Sequence, residues 1–155
     1  MIRRPLRIAT TGQLERSARE AGFEVLRLPE LPTLDFHRPL GQRLRDGAVF
    51  RPFLEKNDIE LVLDFNTEAL TLVPAPDHPD RVALTTASLG IPYVACYLDP
   101  ITSVMNEVSW SDQWQLLEER SWIKWIWETA HAEELTKLGV TNVLTLPMAA
   151  SNDDF

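Results

Sequence analysis

Three segments of this chain repeat one pattern. Ala21-Gly22-Phe23, Leu89-Gly90-Ile91 and Leu138-Gly139-Val140 each set a glycine between a helix-like stretch and an apolar, strand-like one. Glycine supplies the left-handed residue that ends a helix, and a short connection then returns the chain to a sheet. Strands as apolar as those around these joints cannot face water on one side. Joints of this kind therefore predict a parallel sheet covered by helices. The expected fold class is α/β: a Rossmann-like, doubly wound, mostly parallel sheet of about six strands, with helices on both faces.

The rest of the chain fills in that alternation. Strands are expected at Leu6–Thr11, Phe23–Leu28, Ile59–Phe65, Ile91–Leu98, Trp122–Trp127 and Val143–Leu146. Helices are expected over Leu14–Ala21, over Leu40–Asn57 with a break near Gly47 or Pro52, and from a cap at Asp80 to Leu89. Two more follow, one over Gln113–Arg120 capped by Ser109 or Ser111, and one over Thr129–Leu138. Prolines 29, 32 and 39 predict one loop, prolines 74, 76 and 79 a second, and residues 101–109 an ordered third. A single domain over residues 1–148 is expected, with residues 149–155 as a tail or the start of an interdomain linker.

Charge and cysteine content narrow the function classes. Fifteen Lys and Arg against twenty-three Asp and Glu give a net charge of −8. A chain that tracks phosphate backbones carries a basic patch, and the sole Lys/Arg doublet here is Arg3-Arg4. Nucleic acid and anionic membranes are thus not the expected partners. No apolar run approaches the roughly 20 residues of a membrane span, and the N-terminus lacks a signal-peptide pattern. The single cysteine, Cys96, forms no internal disulfide, and the expected compartment is the cytoplasm. In mid-strand, Cys96 reads as a buried structural thiol.

In a doubly wound sheet, ligands gather beyond the carboxyl ends of the strands. Residues expected there are Thr10, Thr11 and Gly12 after the first strand, Asn66 after the third, Asp99 after the fourth, and Glu128 with His131 after the fifth. The first turn, Ala9-Thr10-Thr11-Gly12-Gln13-Leu14, holds one glycine. Neither the three-glycine dinucleotide fingerprint nor a P-loop occurs, so no nucleotide cofactor is expected. Thr10 and Thr11 can meet a polar ligand at a helix N-terminus or simply cap the helix. Asp99, held extended by Pro100, can accept a hydroxyl proton or cap the next turn. Asp64, inside a strand, can pair with a neighbouring loop or helix end. Glu128 and His131 share a helical face, as a base with its orienter or as a surface pair. His37, His78 and His131 lack metal-motif spacing, so no metal is expected.

All five tryptophans fall between residues 110 and 127. Trp110, Trp114 and Leu117 share a helical face; Trp125 and Trp127 share one strand face, Trp122 and Lys124 the other. Flat apolar rings with one donor suit either a core or a binding surface.

The segments Ile91-Pro92-Tyr93-Val94-Ala95-Cys96-Tyr97-Leu98-Asp99-Pro100, Ala130–Val140 and Leu144–Ala149 resemble the N-terminal domain of CgeB-like (spore-maturation-type) glycosyltransferases, which have the two-Rossmann glycosyltransferase B architecture. The resemblance covers residues 90–150, and residues 1–89 only as alternating strand and helix. Family members commonly carry two aspartates before the proline, whereas Asp99 stands alone. The resemblance implies the acceptor side of a cleft for sugar transfer from a nucleotide sugar. It places Asp99 on the hydroxyl and Thr10, Thr11 and Asn66 along the wall, with the donor held by a second domain. Alone, such a half is inactive. The alternative is a non-catalytic binding module that docks a protein partner or a second copy through Trp110 and Trp114. A response-regulator-like domain fits poorly, because Thr10-Thr11-Gly12 stands where an acidic cluster is needed.

Overall fold

The computed structural model describes residues 4–29, 40–65, 69–97, 101 and 110–145, and, for side chains, all of these except 79 and 110–113. Within them lie β1 (Arg7–Thr10), α1 (Gly12–Glu20), β2 (Glu24–Arg27), α2 (Leu40–Lys56), β3 (Leu61–Phe65), β4 (Leu72–Ala75) and β5 (His78–Leu84). These are followed by α3 (Thr85–Ser88), β6 (Tyr93–Tyr97), α4 (Trp110–Leu117), β7 (Trp122–Ile126), α5 (Thr129–Lys137) and β8 (Val143–Thr145). Six strands form one sheet in the order β2-β1-β3-β6-β7-β8, with every neighbouring pair parallel. The doubly wound α/β fold expected from the sequence is the fold observed.

The glycine joints work as their sequence implies. Gly22, Gly90 and Gly139 have φ of +88°, +67° and +87°. Across each, the next amide reaches back to the last helical turn: Phe23 N to Ala18 O at 3.2 Å, Ile91 N to Thr86 O at 3.0 Å, Val140 N to Leu135 O at 3.0 Å. This bond satisfies a helix-end carbonyl and turns the chain toward the sheet. A fourth joint has the same shape without glycine. Asp58 has φ of +50°, and Ile59 N reaches Leu54 O at 3.3 Å, so α2 leads into β3 through a left-handed aspartate.

Register separates the two faces of the sheet. Ala9, Val62, Tyr93 and Trp122 are level across four strands and lie in the main core. Phe50 and Leu54 of α2, Leu116 and Leu117 of α4, and Ala132 and Leu135 of α5 belong to that core. On the opposite face Ile8, Val25 and Leu61 pack with Ala18 of α1. Farther across this second face, Val94, Ile123 and Trp125 are half-buried and Leu144 is exposed.

Four local expectations are corrected. Helix α2 is continuous from Leu40 to Lys56, with Pro52 inside it. Pro52 and Ala48 are both exposed, so water can take the carbonyl that the proline leaves without a donor. The residues around Pro74, Pro76 and Pro79 form a hairpin rather than a loop, β4 against β5, with a register shift between Pro74 and Ala75. A two-stranded ribbon has two free edges, and proline is tolerated there. Asp80 consequently lies in β5, and the helix before Gly90 is the single turn α3, whose N-cap is Leu84. Ser111 lies within α4 instead of capping it, and Ser109 is outside the described residues.

Candidate functional site

Because the main sheet is wholly parallel, the turns after β1, β3, β6 and β7 all open on one edge. From β1 the chain passes by α1 to β2 on one side, whereas β3 lies on the other side of β1. The crevice between β1 and β3 is therefore the topological switch point, where ligands of this fold class sit. Thr10 ends β1, Thr11 is the N-cap of α1, and Gly12 is its first residue. Asn66 follows Phe65 and Asp99 follows Tyr97 and Leu98 in the sequence; both lie outside the described residues.

Thr10 and Thr11 are buried, and neither Oγ1 has a hydrogen-bond partner among the described residues. The capping role open to them is not taken: Thr11 makes no side-chain cap bond, and Leu14 N meets its backbone oxygen at 3.2 Å. Gly12 is exposed, and the Arg27 guanidinium packs over it.

At the other end of the sheet, Glu128 is the extended residue before α5 and is exposed. His131, within α5, is half-buried, and its carboxylate neighbour is Glu134, with Nδ1 4.0 Å from Oε2. Glu128 is thus the N-cap and His131 the third residue of α5. His131 Nε2 is buried without a partner among the described residues.

Asp64 does what its position in a strand allowed. Its Oδ1 accepts from Phe65 N at 2.7 Å, and its Oδ2 accepts from Ala69 N at 2.9 Å and from the Tyr93 hydroxyl at 2.5 Å. It thereby ties down the chain on either side of residues 66–68. Burial, and then the Asp64 charge, push Tyr93 and Tyr97 well above the usual phenol range. Cys96 is a buried free thiol, its pKa raised by desolvation, as suits a structural role.

The tryptophans divide. Trp122 is fully buried, its ring 6.0 Å from that of Tyr93 and 6.2 Å from that of Tyr97. Trp125 is half-buried, whereas Trp114 and Trp127 are 37% and 46% exposed. The Trp110 side chain lies outside what the structure describes. Lys124 shares the Trp122 face as expected, with Nζ 4.8 Å from the ring centroid. It donates to Leu117 O at 2.6 Å and Thr141 O at 3.2 Å, locking the end of α4 to the turn before β8.

Sequence reasoning missed Arg27 and Arg43. Arg27 closes an alternating strand, and only the pairing of β2 with β1 sets it beside the first turn. Arg43 is 2% exposed and donates to Leu70 O at 3.0 Å, a contact that depends on how α2 meets the segment before β4. Among the described residues no group of His, Cys, Asp and Glu could hold a metal ion, and no helix is long and apolar enough to cross a membrane. No protein-family model matches this chain, and no curated protein or solved structure matches it.

Proposed function

We propose that this Rossmann-like α/β domain forms the acceptor side of the cleft in a glycosyltransferase B-like enzyme that uses a nucleotide sugar. The observation that carries the reading is the switch point between β1 and β3, which sets the Thr10-Thr11-Gly12 turn on the same sheet edge as the ends of β3, β6 and β7. Residues assigned on sequence grounds, Asn66, Asp99 and Glu128, follow strands that end on that edge. Asp99 takes the proton of the acceptor hydroxyl, whose oxygen bonds to the anomeric carbon as the nucleotide leaves with the electron pair. A second domain supplies the donor site, and this domain alone transfers nothing.

The test uses the native gene product, whose mass is read first with an antibody against this domain. A band about twice this chain or larger fits a second domain of ordinary size. In that protein, Asp99→Ala is expected to lower nucleoside diphosphate release from a nucleotide-sugar panel by about 10²–10⁴-fold, the usual contribution of general base catalysis. Unchanged release removes Asp99 from the mechanism.

One observation favours a second reading. Trp114 and Trp127 leave large apolar rings in solvent, as a docking surface does. If this is a binding module, Trp114→Ala dissolves a complex or a dimer while the melting temperature stays near that of the parent; a monomer throughout discards the idea.

A further inference from the structure

The tryptophans of β7 have no part in the proposed cleft. Trp122 opens the strand and is fully buried, Trp125 is half-buried, and Trp127, one residue past the strand, is 46% exposed. A strand rises by about 3.3 Å per residue, so their α-carbons are about 10 Å and about 7 Å apart in turn. Inside the core, the Trp122 ring lies 6.0 Å from that of Tyr93 and 6.2 Å from that of Tyr97. These are the two tyrosines of the whole chain. A series of indoles thus leads in short steps from solvent to a pair of buried phenols.

The phenols differ in where a proton can go. An oxidised phenol is a strong acid, so a phenol gives up an electron far more readily where a base already holds its proton. Trp122 Nε1 and the Tyr97 hydroxyl are buried with no hydrogen-bond partner among the described residues. The Tyr93 hydroxyl, in contrast, donates to Asp64 Oδ2 at 2.5 Å, the short distance of a bond to an ionised acceptor. Bonds from Phe65 N and Ala69 N fix that carboxylate in place beside the phenol. Its buried negative charge also favours an electron's departure next to it.

We propose that Tyr93, with Asp64 as its proton acceptor, is a one-electron oxidation site reached from the surface through Trp127, Trp125 and Trp122. A one-electron oxidant in solution takes an electron from the Trp127 ring. Trp125 refills Trp127, and Trp122 refills Trp125. Tyr93 then refills Trp122 while its hydroxyl proton moves to Asp64 Oδ2. The products are a neutral phenoxyl radical on Tyr93, a neutral carboxylic acid at Asp64 and the oxidant reduced by one electron, with all three indoles restored. A one-electron reductant reverses the sequence. Burial of Tyr93 shields the radical from water. The site stands apart from sugar transfer and does not need Asp99.

The experiment is flash photolysis of this chain with a dissolved ruthenium tris-bipyridine dye and a quencher, which together generate a one-electron oxidant at the protein surface. Transient absorption and electron paramagnetic resonance tell indole radicals from phenoxyl. An indole radical is expected first and a phenoxyl after it. Tyr93→Phe should lower the phenoxyl yield at least tenfold, Tyr97→Phe should leave it near that of the parent, and Trp125→Phe should slow its appearance at least tenfold. Absence of phenoxyl from the parent, its persistence in Tyr93→Phe, its loss in Tyr97→Phe, or an unchanged rate in Trp125→Phe overturns the proposal. Circular dichroism checks that each variant is folded. Should Tyr93→Phe fail to fold, Tyr97→Phe still decides, because Tyr93 is then the one phenol left in the chain. None of these readouts involves Asp99, so failure here leaves the acceptor-side reading standing.

Discussion

The Tyr93 hydroxyl donates to Asp64 Oδ2 at 2.5 Å, with both side chains fully shielded from water. Tyr93 comes from β6 and Asp64 from the neighbouring strand β3, so the bond joins adjacent strands at the centre of the sheet. The same carboxylate holds Phe65 N and Ala69 N, so the bond bears on the chain beside the proposed cleft.

Tyr93→Phe removes one of the donors to Asp64 and keeps the ring against Trp122. Loss of a hydrogen bond to a charged group is expected to cost about 1.5–3 kcal/mol, measured by urea denaturation. Asp64→Ala should cost more, because it strands two backbone amides as well as the phenol. A Tyr93→Phe protein as stable as its parent would show that water replaces the hydroxyl.

Two glycines invite opposite expectations from helix propensity and from structure. Gly47 lies inside α2, where alanine is ordinarily better by about 1 kcal/mol. A Cβ there would come within 1.9 Å of Leu72 O and 3.0 Å of Thr85 Oγ1, so α2 and β4 must separate. Gly47→Ala is therefore expected to destabilise by about 1–3 kcal/mol or more. Gly90→Ala meets no atom within 4 Å and pays only the left-handed backbone penalty, about 1–2 kcal/mol. Thermal denaturation of both variants checks the order.

Burial lowers the Lys124 pKa from 10.5 to about 8, with Glu119 opposing the shift. Between those values the unfolded chain binds a proton that the folded chain has released. This group's contribution to stability therefore rises as pH climbs from about 8 to 10.5, and is level below that window. Lys124→Met should abolish this part of the pH dependence, seen as the difference between parent and variant denaturation curves. At neutral pH it should also cost about 1–3 kcal/mol, because the Leu117 and Thr141 carbonyls lose their donor.

Trp122→Ala should cost about 3–5 kcal/mol, the usual price of emptying a large aromatic site in a core. Trp127→Ala, at a residue 46% exposed, should cost far less. Near-equal losses in chemical denaturation would mean that Trp127 is also a core residue in solution.

How much of this was legible in the sequence differs residue by residue. Gly22, Gly90 and Gly139 end their helices as read, because a left-handed backbone is a local demand that one residue type meets cheaply. The joint at Asp58 uses the same geometry with a residue that tolerates it, and carries no glycine to announce it. The prolines around residue 76 were misread as a loop because proline excludes a central strand but not a ribbon with free edges. The division between Trp122 and Trp114 could not be read from spacing, since one period serves a core and a docking face alike.

The sequence by itself determined the alternation of strand and helix, the parallel sheet and its turn positions. These follow from local backbone preferences and from apolar runs that must be covered on both sides. Only the tertiary structure decided which polar groups meet. Tyr93 reaches Asp64 across 29 positions of chain, and Arg27 comes to lie over Gly12 because β2 pairs beside β1. Such meetings depend on strand order and register, which join segments distant in the chain and leave no local trace in composition or period.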